Sequence, residues 1–340
     1  MTTSVGNLEC TQGAACCMLK SSVPPLTVNT FGPAVQTGRI NGTLVQPGPT
    51  PPFPLSTFIL SAEFVGNVSY AQLQGDTWPS TWDADGTVYG WCCDGQNNGL
   101  AESPMSFWSI AGDPYTGQAL TPSEVANTPI DYQLLCAQYI PQYQNVNVKP
   151  GSLISLNGMI YASVSCMNYG DDPDFNRQHN LVGFLAASSD GGETWANVTE
   201  VGAFSNQFSA PIFVSCGQAN APCSQKDDGY VYVFYFGALN GQTYWDSNDY
   251  LMLSKVYGSF IADVASYQYY TGLDFDGVAQ WKHDRSLAQP VLTYGLMLGE
   301  NAISYNPFLQ RYVFANFGLI DSYGNPRPWH QVGSVFLIKY

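Results

Sequence analysis

Two aspartates within one short stretch are spaced for paired-carboxylate chemistry. In Gly75-Asp76-Thr-Trp78-Pro-Ser-Thr-Trp82-Asp83-Ala-Asp85-Gly86-Thr-Val-Tyr89-Gly-Trp91-Cys-Cys-Asp94-Gly95, Asp76 and Asp94 stand nine residues before and nine after Asp85, which opens an Asp-Gly turn. If this segment is a hairpin, the two aspartates face each other across antiparallel strands with Cα atoms about 5 Å apart. Two carboxylates at one place perturb each other, so that one keeps its proton while the other stays ionised. Glycoside hydrolysis requires that division of labour. Pro79 interrupts the first strand and loosens the expected distance by several ångströms. The competing reading is that Asp76 and Asp94, each beside a glycine, are ordinary turn residues.

The elements that would hold these residues recur along the chain. A turn followed by an apolar stretch with a tyrosine occurs at Asp85-Gly-Thr-Val-Tyr89, Asn157-Gly-Met-Ile-Tyr161, Asp228-Gly-Tyr-Val-Tyr232 and, more loosely, Asn306-Pro-Phe-Leu-Gln-Arg-Tyr312, at steps of 72, 71 and 78 residues. Asp-Gly and Asn-Gly supply the positive φ that a tight hairpin demands. Another strand is expected downstream of each, at Phe107-Trp-Ser-Ile, Leu181-Val-Gly-Phe-Leu-Ala, Tyr250-Leu-Met-Leu-Ser and Gly333-Ser-Val-Phe-Leu-Ile. Helical periodicity is almost absent. Antiparallel sheets repeating about every seventy residues predict an all-β chain folded as a β-propeller. At that repeat length five blades are expected, of which four are legible. The fifth is either closed by an N-terminal strand or cut off after Tyr340. Residues 1–56, rich in Cys, Thr and Pro and ending in Pro-Gly-Pro-Thr-Pro-Pro-Phe-Pro, read as an N-terminal arm, with the propeller domain over 57–340.

Propeller sites sit where innermost strands begin and second strands end. That face would gather Asp76, Lys149, Glu300 and Asn301 at strand starts, and Asp94, Asn168 and Asn316 at second-strand ends. Lys149 before Pro150, and Glu300 after Gly299, read equally well as solvated loop residues. The polar loop from Asn168 to His179 carries Asp171, Asp172 and Asp174, which could hold calcium, a hard cation wanting six to eight oxygens. Its spacing matches no defined calcium loop, and the reading requires no cofactor or metal. The loop reads instead as the rim of a cleft, with Arg177 and His179 reaching sugar hydroxyls. Trp78, Trp245 and Trp329 lie in or near such loops and could stack on sugar faces, although each alone is also readable as packing.

The segment Ser188-Ser-Asp190-Gly-Gly192-Glu-Thr194-Trp195 fits the pattern Ser-x-Asp-x-Gly-x-Thr-Trp at every defined position. It resembles the Asp-box of sialidases and other propeller glycosidases, which occupies the hairpin between the two outer strands of a blade. The resemblance implies a structural role, with Asp190 satisfying turn amides and Trp195 packing on the neighbouring hairpin. Sialidases also grip a carboxylate with three arginines and carry an early Arg-Ile-Pro segment. This chain has only Arg39, Arg177, Arg285, Arg311 and Arg327 and no Arg-Ile-Pro, which argues against sialic acid. The succession Gly-Asp-Thr-Trp, Asp-Gly-x-x-Tyr, Asp-Gly, Asn-Gly-x-x-Tyr and Asp-box is similar to a propeller family that includes endo-D-arabinanases. The similarity spans most of residues 57–340 in spaced motifs. In those hydrolases a pair of aspartates in the first repeat does the chemistry, which implies Asp76 and Asp94 here. Cys92-Cys93 and the cysteine-rich arm depart from the family pattern.

Composition narrows the partners. Of 340 residues, 11 are Lys or Arg and 26 are Asp or Glu, for a net charge of −15, so no basic stripe exists to neutralise phosphates. Nucleic acid and anionic membranes are poor partners for such a surface. No run approaches the roughly 18 apolar residues of a membrane span. Nine cysteines and the sequons at Asn41, Asn67 and Asn197 point to an oxidising, extracellular setting. The N-terminal Met1-Thr-Thr-Ser-Val-Gly has neither the basic nor the apolar region of a leader, so a leader is expected to have been removed or replaced. Cys216 and Cys223 bracket a short polar loop and are expected to join. The vicinal Cys16-Cys17 and Cys92-Cys93 are each expected to bond elsewhere. The odd total leaves one thiol unpaired or bonded beyond Tyr340. No Cys or His spacing suits zinc. The expectation is a secreted monomer acting on a poly- or oligosaccharide as a glycoside hydrolase. The alternatives are a non-catalytic carbohydrate-binding propeller and a structural or adhesion module.

Overall fold

The computed structural model describes residues 77–93, 105–112, 118, 120–127, 132–142, 146–169, 178–299 and 301–316, with short strand segments at 26–27, 39–40, 43–44, 61–62, 95–97, 100–103 and 334–338. β1 (Leu26–Thr27), in the N-terminal arm, pairs with β4 (Ser61–Ala62), just beyond it, and within the arm β2 (Arg39–Ile40) pairs with β3 (Thr43–Leu44). Four larger antiparallel sheets follow, each built from consecutive stretches of chain.

The first sheet comprises β5 (Ser80–Trp82), β6 (Val88–Cys92), β9 (Ser106–Ala111) and β10 (Thr121–Asn127), with the small hairpin of β7 (Gly95–Asn97) and β8 (Leu100–Ser103) between β6 and β9. The second comprises β11 (Val146–Leu156), β12 (Met159–Tyr169), β13 (Gln178–Ser188) and β14 (Ala196–Asn197), with β15 (Phe204–Ser205) also on β13. In the third, β16 (Ile212–Phe213) leads to β17 (Tyr230–Gly237), β18 (Asn248–Tyr257), β19 (Gln268–Leu273) and β20 (Ala279–Lys282), with β21 (Leu292–Leu298) also on β18. The fourth runs through β22 (Asn301–Asn306), β23 (Arg311–Asn316) and β24 (Ser334–Ile338).

The first strands of these sheets touch in succession: β5 against β11, β11 against β16, and β16 against β22. The segment after β16 closes the circuit, because Ser215 bridges Ser304 of β22 and Gln218 bridges Trp82 of β5. Four sheets thus radiate from one axis, each led by its first strand, which is propeller architecture. The four expected downstream strands are β9, β13, β18 and β24. The expected fifth blade falls largely on residues outside those described.

Local chemistry explains the turns. Asn157 and Gly158, with φ of 52° and 76°, join β11 to β12, and Asp228 and Gly229, with φ of 51° and 82°, precede β17. The third repeat departs from the simple hairpin expected. Between β16 and its turn lies an insertion that holds α2 (Ala221–Lys226) and the Cys216–Cys223 disulfide.

Among the described residues, the faces that meet between neighbouring sheets are apolar. Between the first and second sheets lie Trp91, Phe107, Val148, Val164, Phe184 and Trp195. Ile154, Leu185, Phe204, Tyr235 and Met252 fill the next gap, and Phe234, Leu253, Ile303, Tyr312 and Phe314 the one after. Gly183 marks how closely the connection leading into β16 crosses β13, since a Cβ there would stand 2.3 Å from the Ser209 carbonyl oxygen. Helix α1 (Tyr132–Tyr139) caps the first gap and is tied to β12 by the Cys136–Cys166 disulfide, a pairing not anticipated from spacing. Cys92 and Cys93 correct an expectation: both are buried thiols, and neither forms a disulfide.

Candidate functional site

The β5–β6 hairpin holds a constant register, with Ser80 opposite Gly90, Thr81 opposite Tyr89 and Trp82 opposite Val88. Pro79 does not break it. Lacking an N–H of its own, Pro79 still offers a carbonyl, which accepts the Trp91 N–H at 3.0 Å. One step further, Thr77 Oγ1 lies 2.9 Å from Cys93 Sγ. Asp76 and Asp94, the next residues outward on either side, lie outside the described residues. Thr77 has φ of 44°, a left-handed conformation rare for a β-branched residue and costing on the order of 1–3 kcal/mol.

Adjacent side chains on β6 diverge, as the strand pleat requires. Cys92 lies against Trp108 and Ser106, and burial pushes its thiol up to about 12. Cys93 meets Thr77 and accepts a hydrogen bond from Lys149 Nζ at 3.3 Å. Lys149, from the start of β11, is therefore half-buried and engaged with the first sheet, in contrast to a solvated loop residue. Trp78 is half-buried, with its ring 6.4 Å from that of Trp108 and its edge over Gly90.

A second group collects where β12 ends and β13 begins. Asn168 and His179 are direct cross-strand partners. The loop between β17 and β18 docks beside them, with His179 bridging Tyr244, the Trp245 N–H donating to the Gln178 carbonyl at 3.3 Å, and the Asn180 N–H donating to the Thr243 carbonyl at 3.0 Å. The His179 and Tyr244 rings meet edge to face at 4.5 Å. Gln242 Nε2 contacts His179 Nδ1, and the Tyr244 hydroxyl donates to Gln242 Oε1 at 3.3 Å. Asn147 Nδ2 donates to Gln178 Oε1 at 3.2 Å beneath them. Asn248 clips the loop down, donating from Nδ2 to the carbonyls of Tyr244 and Leu298 at 2.7 and 2.8 Å. Asp246 in the same loop is fully buried.

Strand direction puts Thr77, Cys93, Lys149, Asn168, His179 and Trp245 at one end of the sheets. Asn301 and Asn316 are cross-strand partners at the corresponding ends of β22 and β23. Arg177, Glu300 and the Asp171, Asp172 and Asp174 loop lie outside the described residues, as do the side chains of Asn301 and Asn316. Among the described residues no group of three His, Cys, Asp or Glu side chains is arranged to hold a metal. Sequence reasoning missed Thr77, Cys93, Asn147, Gln178, Gln242 and Tyr244. The signal for Cys93 was its place beside Asp94; the others become neighbours only through contacts between strands and sheets.

The Ser188–Trp195 segment lies at the opposite end, joining β13 to β14. Ser188 Oγ donates to Asp190 Oδ1 at 2.7 Å and accepts the Gly192 N–H at 2.8 Å. Thr194 donates to Asp190 from its backbone N–H at 2.9 Å and from its hydroxyl at 2.5 Å. These bonds, the Thr194 hydroxyl foremost, hold the Asp190 carboxyl down at about 2. Trp195 Nε1 donates to the Gly192 carbonyl at 3.0 Å, and its ring lies 4.6 Å from Trp91 and 5.0 Å from Phe107 of the first sheet. The segment is a locked turn with a tryptophan inserted between sheets.

Among solved structures, the chain is similar to a putative hydrolase from Bacteroides ovatus, with 12% identity over 72% of this chain and 64% of that one and a TM-score of 0.39. It thus spans less than two thirds of that protein. It is also similar to the GH43_1 enzyme from Xanthomonas citri complexed with xylotriose (12% identity, 79% of this chain and 90% of that one, TM-score 0.36). A third is the inulosucrase from Halalkalicoccus jeotgali bound to kestose (12% identity, 76% and 63%, TM-score 0.40). No curated protein matches the sequence. Residues 61–322 match the family model described as Domain of unknown function (DUF4185), and the chain belongs to that family.

Proposed function

We propose that the chain is a secreted carbohydrate-active hydrolase that cleaves glycosidic bonds with Asp76 and Asp94. The observation that carries this reading is the β5–β6 register, which pairs Ser80–Trp82 with Val88–Gly90 and is followed by the Trp91–Pro79 backbone hydrogen bond and the Thr77–Cys93 side-chain contact; Asp76 and Asp94 are the next residues in the sequence on either side. Residues opposed in an antiparallel ladder have Cα atoms about 4.5–5.5 Å apart. Carboxyl groups that close cannot both ionise freely, so one serves as the protonated acid toward the glycosidic oxygen. The other acts as base or nucleophile at the anomeric carbon, through an oxocarbenium-like state.

The substrate in this reading is a poly- or oligosaccharide, with arabinan-type furanosides tried first. His179, Asn168 and Trp245 form the rim that receives it, together with Tyr244 and Gln242. Lys149, Trp78, Arg177, Glu300, Asn301 and Asn316 are the remaining proposed contacts. Secretion is supported by the Cys136–Cys166 and Cys216–Cys223 disulfides and by the exposed sequon at Asn197. No helix among the described residues is long and apolar enough to cross a membrane.

The second reading, a carbohydrate-binding propeller without catalysis, is favoured by the aromatic and amide cluster at His179, which needs no carboxylate to grip a sugar. A polysaccharide panel including D-arabinan and L-arabinan separates the two, with wild type beside Asp76→Asn and Asp94→Asn. The hydrolase reading expects new reducing ends from wild type and a loss of about 10²–10⁴-fold in each variant. Undiminished cleavage in both variants overturns the assignment of these residues. Binding without cleavage by wild type leaves the binding module.

A further inference from the structure

We propose that Asn197 carries an N-linked glycan and that this glycan covers the open edge of the second sheet. The inference rests on the secretory part of the proposed function and goes beyond it, naming the residue that is modified and what the modification does.

Asn197, Val198 and Thr199 form the acceptor sequence Asn-x-Thr with no proline at its centre. The fold gives the three residues different tasks. Asn197 lies on β14 opposite Ala186 of β13. The Val198 N–H donates to the Leu185 carbonyl at 2.9 Å, while Thr199 Oγ1 accepts the Leu185 N–H at 2.8 Å and donates to the Glu200 carbonyl at 3.4 Å. Valine and threonine thus fasten this stretch to the sheet, whereas the Asn197 side chain is exposed and makes no hydrogen bond to any described residue. A sugar attached to that carboxamide displaces no contact of the fold.

Strand β14 ends the sheet path β11–β12–β13–β14, and among the described residues no strand pairs with its far side. An edge of this kind presents unpaired N–H and C=O groups to a strand of another chain, and proteins blunt it with charge, proline or a cover. Trp195-Ala-Asn-Val-Thr199 contains neither a charge nor a proline. A bulky, solubilising glycan on Asn197 supplies the cover that the side chains do not. The same placement keeps the sugar away from the candidate site, because Asn197 follows the Ser188–Trp195 turn by two residues, at the end of the sheets opposite the His179 cluster. In the transfer, the Asn197 amide nitrogen forms a C–N bond to the anomeric carbon of an oligosaccharide carried on a polyprenyl pyrophosphate. The glycosyl C–O bond breaks, the pyrophosphate leaves with its electron pair, and the amide gives up one proton to solvent.

The test uses the full chain exported from a eukaryotic host behind that host's leader. Peptide N-glycosidase in H₂¹⁸O marks only sugar-bearing asparagines with ¹⁸O, so peptide mass spectrometry reads Asn197 separately from Asn41 and Asn67. Asn197 should be marked in most of the exported protein. Wild type and Asn197→Gln from the same host then differ in this glycan alone, and light scattering at equal protein concentration should show Asn197→Gln aggregating about threefold faster or more. Exported wild type with Asn197 unmarked overturns the inference and leaves the secretory reading standing. Chain retained inside the host, with Cys136 and Cys166 still free thiols and Asn197 unmarked, overturns both. A marked Asn197 with equal aggregation in the two proteins overturns the covering role.

Discussion

Trp195→Ala tests whether the Ser188–Trp195 turn is a joint between the first two sheets. The indole is 94% shielded from solvent, lies 4.6 Å from Trp91 and 5.0 Å from Phe107, and donates to the Gly192 carbonyl. Truncating a buried tryptophan to alanine costs about 3–5 kcal/mol, the lost transfer energy plus the cavity left behind. At about 1.4 °C per kcal/mol, from an unfolding entropy of about 2.1 cal/mol/K for each of 340 residues, the unfolding temperature should fall by roughly 4–7 °C. Trp195→Phe keeps an aromatic ring in the gap but strips the Gly192 carbonyl of its donor, at about 1–2 kcal/mol. It should therefore lie between the two. Scanning calorimetry measures all three proteins, and reducing-end release at 25 °C, well below unfolding, reports on the opposite end of the sheets. A fall of less than 2 °C in Trp195→Ala would refute the joint. A proportionate loss of activity in a fully folded Trp195→Phe would refute the assignment of this turn to structure alone.

The remaining predictions concern the cross-links and the same turn. Removing Cys136–Cys166, which closes a span of 30 residues, should cost about 3–4 kcal/mol, whereas Cys216–Cys223, closing a span of 7, should cost about 2–3 kcal/mol; paired Cys→Ser variants compared by denaturant midpoint check that order, and equal losses would contradict it. Asp190 has a folded-state carboxyl near 2 against an ordinary 3.8, so its turn contributes stability that is complete above about pH 4 and is lost as pH falls through 2. The gap in unfolding temperature between wild type and Asp190→Asn should therefore narrow from pH 5 to pH 2; a constant gap would show that the carboxylate's charge is immaterial.

Much of the molecule is written in local sequence, and the parts that are not share one physical character. The dipeptide Asn157-Gly158 announces its hairpin, and Asp228-Gly229 the turn into β17, because only a few residues tolerate the positive φ those turns need. The recurrence of turn, tyrosine and downstream strand at about seventy residues gives the blade unit, since each sheet is closed within its own stretch of chain. The symmetric spacing of Asp76 and Asp94 about Asp85 is legible for the same reason: hairpin register is set by the turn between the strands. The Ser188–Trp195 turn is likewise local, with donors and acceptors two to four residues apart.

Contacts between sheets were decided by the tertiary structure alone. Cys136 bonds Cys166 because α1 folds onto the second sheet, while Cys92 and Cys93 stay thiols because the pleat sends them to opposite sides, into packing that offers each other partners. Lys149 reaches Cys93 across 56 residues, and His179 meets Gln242 across 63. No periodicity records such distances, because they depend on which sheet faces are brought together. The sequence by itself determined most of the strands and their turns, and it supplied the spacing on which the proposed pairing of Asp76 and Asp94 rests. The setting of the β5–β6 hairpin, with a lysine from the next sheet anchored on its cysteine, came only from packing the sheets around a common axis.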